Sequence, residues 1–74
     1  MKLVSNFAER LKLALELRNM KATKLSELTN VNKSTISQYL SGEYEAKKDR
    51  IELFAEVLNV NELWLRGYDL PMEN

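Results

Sequence analysis

The sequence predicts an all-α fold: a compact five-helix domain. Three observations predict it. Backbone breakers are scarce, with Gly42, Gly67 and Pro71 the two glycines and one proline of a 74-residue chain. Leu, Glu, Lys and Ala are abundant, and all four favour helices. Apolar residues recur at three- and four-residue spacing, as one face of a helix requires, rather than alternating as in a strand.

Each element follows from its caps and its apolar stripe. The first helix is expected from Phe7 to Asn19, with Asn6 as N-cap and Glu9 three residues on, in the manner of a capping box. Phe7, Leu11, Ala14 and Leu15 face a core, and Leu13 and Leu17 widen the stripe. A short second helix, Thr23 to Thr29, turns Leu25 and Leu28 inward. The third, Lys33 to Ser41, is capped by Asn32 and ended by Gly42. The fourth, Asp49 to Leu58, buries Ile51, Phe54, Ala55 and Leu58, and Asn59 ends it in the left-handed conformation. The fifth, Glu62 to Arg66, is capped by Asn61, stopped by Gly67 and anchored by Trp64. The remaining YDLPMEN is expected to be extended, so residues 1–67 form the domain and 68–74 a tail where a linker would begin.

Composition narrows the function. With no Cys and no His, disulfides, Cys- or His-based metal sites and His- or Cys-dependent catalytic triads are excluded. There is no Gly-rich phosphate loop, and Glu9, Glu16, Glu52 and Glu56 sit at helical spacing on outer faces as solubilising and i,i+4 partners. No enzyme and no cofactor are expected. No apolar run approaches the ~20 residues that span a bilayer. The first twelve residues lack a sustained apolar core followed by a small-residue cleavage site, so no signal peptide is expected and the chain reads as cytoplasmic.

Eleven basic and eleven acidic side chains balance. Their distribution does not: residues 1–50 carry ten basic and six acidic groups, residues 51–74 one basic and five acidic. Between Glu27 and Glu43 the only charge is Lys33. On a wheel of ~100° per residue, Lys33, Ser34, Ser37, Gln38 and Ser41 share an arc of about 140°. Ile36 and Tyr39 lie opposite and anchor the helix, Tyr39 more as a core residue than as a base-stacking one. A merely solvated face usually carries Glu and Lys pairs. This one carries short hydroxyls, an amide and one cation, groups that donate and accept and so suit base edges in a major groove. The helix also starts with Lys33 and has no acid in its first turn, against the preference of its macrodipole. A phosphate backbone at that end would relieve the conflict.

The approach to this helix is built for a tight turn. Ser26 is small enough for close helix packing, Asn30 tolerates the left-handed conformation, and Val31 plugs the gap. With these residues in place, Ala22 to Leu40 resembles the helix-turn-helix of the phage repressor and Cro class of bacterial regulators, the lambda repressor-like XRE family. The likeness runs through nearly the whole chain: the first amphipathic helix, ISQYLSG, a short basic loop, and LNVNELWLRG with its Trp. The ordered set carries it rather than any single piece.

The resemblance implies that the third helix enters the major groove of a double-stranded DNA operator and that a homodimer reads two half-sites ~34 Å apart. By position, Asn32, Lys33, Ser34 and Gln38 match base-reading residues and Ser37 lies beside them. Thr23, Lys24, Lys47 and Lys48 match backbone-contacting positions, and Ser41 at the end of the arc joins them. Three departures stand out: Ala22 where the family often has Gln, Asn30 in place of the turn Gly, and Glu43 and Glu45 in a loop that is often basic. The first and third imply fewer neutralised phosphates and a shallower salt dependence. The ending resembles the point where a phage repressor's DNA-binding domain passes into a linker, which fits either an N-terminal domain or a short Cro-like protein. As an N-terminal domain alone, the chain would be a weak dimer or a monomer.

Alternatives stay open at this level. Lys47, Lys48 and Arg50 also fit a solvated cluster that Glu45 and Asp49 partly neutralise. Leu63, Leu65, Tyr68 and Leu70 suit satellite packing or a dimer face. An antitoxin-type protein-interaction module of the same fold is the second functional reading.

Overall fold

In the computed structural model, which describes all residues from Met1 to Asn74, the polypeptide forms α1 (Phe7–Leu17), α2 (Ala22–Thr29), α3 (Lys33–Leu40), α4 (Lys48–Leu58) and α5 (Glu62–Arg66). The asparagine caps act as their positions suggest: the Oδ1 atoms of Asn6, Asn32 and Asn61 accept from the backbone N–H of Glu9, Ser34 and Leu63 at 2.9, 2.9 and 2.8 Å. Half of the capping box at α1 is missing, because the Glu9 carboxylate takes the Ser5 hydroxyl at 3.2 Å. Asn19, Asn30 and Asn59 all adopt positive φ after the helices they follow. Asn19 therefore lies beyond α1, which ends two residues sooner than its apolar spacing suggests.

The helices enclose one core of fifteen buried apolar side chains. Leu11, Leu25, Ile36, Phe54, Leu58 and Leu65 are fully buried within it. At its centre Phe7, Tyr39 and Phe54 bring α1, α3 and α4 together: Tyr39 meets both phenylalanines edge-on, at 5.7 and 6.0 Å between ring centroids. Edge-to-face aromatic pairs add to the area they bury. α3 itself packs on α1 and α2.

Three apolar assignments are corrected. Leu13 and Leu17 do not join the core but stay 41% and 56% exposed. Leu28 is 49% exposed, and Thr29 is buried in its place. The threonine tolerates burial because its hydroxyl donates to Leu25 C=O at 2.7 Å and accepts from Val31 N–H at 3.3 Å. The strip of Leu63, Leu65, Tyr68 and Leu70 is broken up: Leu65 is a core residue and the other three are half-buried.

Two arginines brace the ends of α4 and α5. Arg10 lies 4.7 Å over the Trp64 ring and donates from Nη1 to Trp64 C=O at 2.8 Å and Tyr68 C=O at 3.2 Å. Arg18 donates to Leu58 C=O and Asn59 C=O at 2.8 and 2.9 Å. Arg18 satisfies carbonyls that the end of α4 cannot satisfy itself, whereas Arg10 adds a second donor to Trp64 C=O, which already accepts from Gly67 N–H at 2.9 Å.

The tail is irregular but not free. Leu3 and Tyr68 form an isolated antiparallel bridge. Asn61 N–H donates to Met72 C=O at 2.7 Å, and Glu73 reaches Arg18 at 3.4 Å. Gly67 sits at the crossing of the two end segments with φ +115°, and its carbonyl accepts from Val4 and Ser5 N–H at 2.9 and 3.0 Å. A Cβ at this position would stand 2.5 Å from Ser5 O and 2.6 Å from Ser5 C.

Candidate nucleic-acid interface

The interface starts with the turn that joins α2 to α3. Asn30 takes the left-handed conformation, φ 59° and ψ 27°, and its N–H closes α2 on Ser26 C=O. Ser26 also donates its hydroxyl to Val31 C=O at 2.6 Å. Its small size therefore serves a hydrogen bond as well as close packing. Val31 is buried and Ile36 fully so. These contacts fix α3 on α2 by its apolar side.

Its polar arc then faces outward. Asn32, Lys33, Ser34, Ser37 and Ser41 are exposed and Gln38 is half-buried; Thr23, Lys24, Lys47 and Lys48 are exposed as well. None of the ten candidate side chains is spent on the core. Their hydrogen bonds decide what each can offer a ligand. Asn32 Oδ1 is engaged twice, by Ser34 N–H and by the Ser34 hydroxyl at 2.8 Å, which leaves its amide NH₂ free and Ser34 Oγ as an acceptor. Ser41 Oγ donates to Gln38 C=O at 3.0 Å and serves the helix end. The Ser37 hydroxyl and the Gln38 carboxamide make no hydrogen bond within the molecule, and Lys33 has no acid within 4.0 Å. Among the remaining cations, Lys24 approaches Glu27 at 4.0 Å and Lys48 approaches Glu52 at 3.8 Å, while Lys47 has no acidic partner.

A feature not read from the sequence reinforces this arrangement. α2 starts at Lys21 with no side-chain cap and no acid in its first turn. α4, N-capped at Lys47, also lacks a side-chain cap, although it carries the acid Asp49 in its first turn. Uncapped helix starts leave N–H donors and the positive end of the dipole available to an anion. The signal was present, since no Ser, Thr, Asp or Asn stands at either cap position. A second missed feature is Arg50, which donates from Nη1 to the Tyr39 hydroxyl at 3.1 Å. No group of three or more Asp or Glu side chains is gathered for a metal, and no helix is long and apolar enough to cross a membrane.

A short helix, a left-handed turn and an outward second helix, in this order, are the geometry of a helix-turn-helix. The family model described as "Helix-turn-helix" matches residues 11–65, from within α1 to one residue short of the end of α5. The chain belongs to the helix-turn-helix family. The second helix of the motif is α3. The chain is also 38% identical, over 61 residues, to the HTH-type transcriptional regulator PrtR of Pseudomonas aeruginosa. The matched stretch is 82% of this chain and 23% of PrtR, so the helix-turn-helix domain spans under a quarter of that relative.

Proposed function

We propose that this helix-turn-helix domain is the DNA-reading part of a cytoplasmic transcriptional regulator, a phage or prophage repressor, which sets α3 in the major groove of a palindromic operator as a homodimer. Residues 1–67 are the DNA-binding body in this reading, with 68–74 docked on it. The observation that carries it is the outward face of α3, where Lys33, Ser37 and Gln38 are left without internal partners and no acid is present. Lys33 would donate to guanine O6 or N7, and Gln38 would pair with adenine N6 and N7. Asn32 and Ser34 would supply a donor and an acceptor beside them. Thr23, Lys24, Ser41, Lys47 and Lys48 would hold phosphates and set register. Size supports two copies: the domain measures 31 × 23 × 21 Å, enough for one half-site but not for two centred ~34 Å apart.

Selection from random duplexes at two salt concentrations tests the reading. A symmetric site with half-sites one helical turn apart supports it, and the salt slope counts the phosphates neutralised. No enrichment of any sequence would overturn it. On the selected site, Gln38→Ala is expected to cost ~1–3 kcal/mol and to relax specificity at one base position. Lys48→Ala is expected to weaken all duplexes alike and to lower the salt slope by ~1. Titrations on a panel of single-base operator variants separate the two behaviours.

One observation favours the antitoxin-type reading. A groove of about 770 Å³ lies between the start of α1 and the α3–α4 loop, floored by Phe7, Leu40 and Ala46 and edged by exposed Leu3 and Tyr44. A tight protein partner recovered together with weak, salt-insensitive DNA binding would decide for that module.

A further inference from the structure

By position alone Arg50 belongs with Lys47 and Lys48 as one more cation for phosphates. Its geometry differs. The guanidinium is partly buried and donates to the hydroxyl of Tyr39, a residue of α3 that is 8% exposed. The Tyr39 ring is wedged edge-on against Phe7 and Phe54, so the phenol is fixed along its length by packing and at its tip by a charged donor. At 3.1 Å the bond is of ordinary length, and its donor carries a charge.

We infer that Arg50 is a positioning residue: it sets the angle of α3 through Tyr39 rather than touching DNA. The inference rests on the reading of α3 as the helix that enters the groove. Eight residues are too few to hold a helix in place by their own backbone bonds. The front of α3 is fixed by the Asn32 cap and the Ser26–Val31 turn. The far end needs a separate hold. Tyr39 stands next to Gln38 in the chain, and any roll of the helix about its axis moves both. Arg50 comes from α4, which is anchored by buried Ile51, Ala55 and Leu58 as well as by Phe54 against the Tyr39 ring. The link therefore ties the reading side chains to a second helix, α4, which packs in turn on α2 and α5.

A double-mutant cycle of Tyr39→Phe and Arg50→Met, read on the duplex selected by the wild-type protein and on an unrelated duplex, tests this. Each single change is expected to lower affinity for the selected duplex about fivefold and for the unrelated duplex less than about twofold, the scale of one such hydrogen bond. The double variant should be no weaker than either single one. The salt slope should not move, and Arg50→Lys, which keeps a cation able to reach the phenol, should recover part of the loss. A salt slope lower by ~1 in Arg50→Met, with an effect that adds to that of Tyr39→Phe, would mean a phosphate contact and overturn the inference. Equal losses on both duplexes that follow a lowered melting temperature would mean bulk stability only and overturn it too. If the wild-type protein selects no duplex, the DNA reading fails, and the cycle is read on hydrogen exchange at the Gln38–Ser41 amides without DNA. There, non-additive acceleration supports the hold on α3, and additive or absent acceleration overturns it.

Discussion

Gly67→Ala is expected to destabilise the domain by roughly 3–5 kcal/mol and to lower its melting temperature by about 20 °C. Two independent conflicts meet at this residue. Its φ of +115° lies where side chains are strained. The added Cβ would also press on the backbone of Ser5 and Asn6, at 2.5 to 2.9 Å, and backbone cannot swing aside as a flexible side chain does. Relief would require opening the Val4 and Ser5 hydrogen bonds to the Gly67 carbonyl. Gly42→Ala is the matched control. It has φ +80° but open space around the new Cβ, so only the conformational part remains, about 1–2 kcal/mol. Thermal unfolding of the two variants side by side measures the share due to the clash. Similar losses in both would show that Ser5 yields.

Phe54→Ala is expected to cost roughly 3–5 kcal/mol, the range for a fully buried aromatic cut to a methyl. A chain of this size holds only about 4–11 kcal/mol in total, so a large part of the molecules should be unfolded in mild urea. The loss goes beyond transfer of a ring from water. Phe54 supports both Phe7 and Tyr39, so the space it leaves is shared by three helices. Urea unfolding followed by circular dichroism should show a lower midpoint with an unchanged slope. Phe54→Leu, which keeps most of the volume, should recover more than half of the difference. If it fails to, the interplanar geometry of the three rings matters more than the volume they fill.

Much of the fold was legible because its punctuation is local. The bounds expected for the fifth helix, Glu62 to Arg66, coincide with α5, since Asn61 and Gly67 mark both ends in the sequence itself. The left-handed Asn30 and Asn59 were legible for the same reason. Helical spacing was a poorer guide within α2. Leu28 and Thr29 are consecutive and so lie ~100° apart on the wheel, and hydropathy favours the leucine for the interior. The tertiary structure chose the threonine because its hydroxyl serves two backbone groups of the turn. The tail was not legible, because its holds on Leu3, Asn61 and Arg18 pair residues far apart in sequence. The outward direction of the α3 arc followed from periodicity. Which members remain free to bind did not, since the Ser34 hydroxyl is spent on Asn32 Oδ1 and the Ser41 hydroxyl on the Gln38 backbone carbonyl, through geometry that a wheel does not contain.

The two kinds of cation divide the work. All four arginines are bound inside the molecule: Arg10 and Arg18 to carbonyls, Arg50 to a phenol, and Arg66 to Glu62 at 2.9 Å. None of the seven lysines donates a side-chain hydrogen bond. Architecture rests on forked, planar guanidiniums, and in the reading proposed above the encounter with a polyanion falls to the ammonium groups. Acylating reagents discriminate between the two. Acetic anhydride at modest excess should therefore strip the protein of its hold on nucleic acid while its circular dichroism spectrum and melting curve stay close to those of the untreated sample.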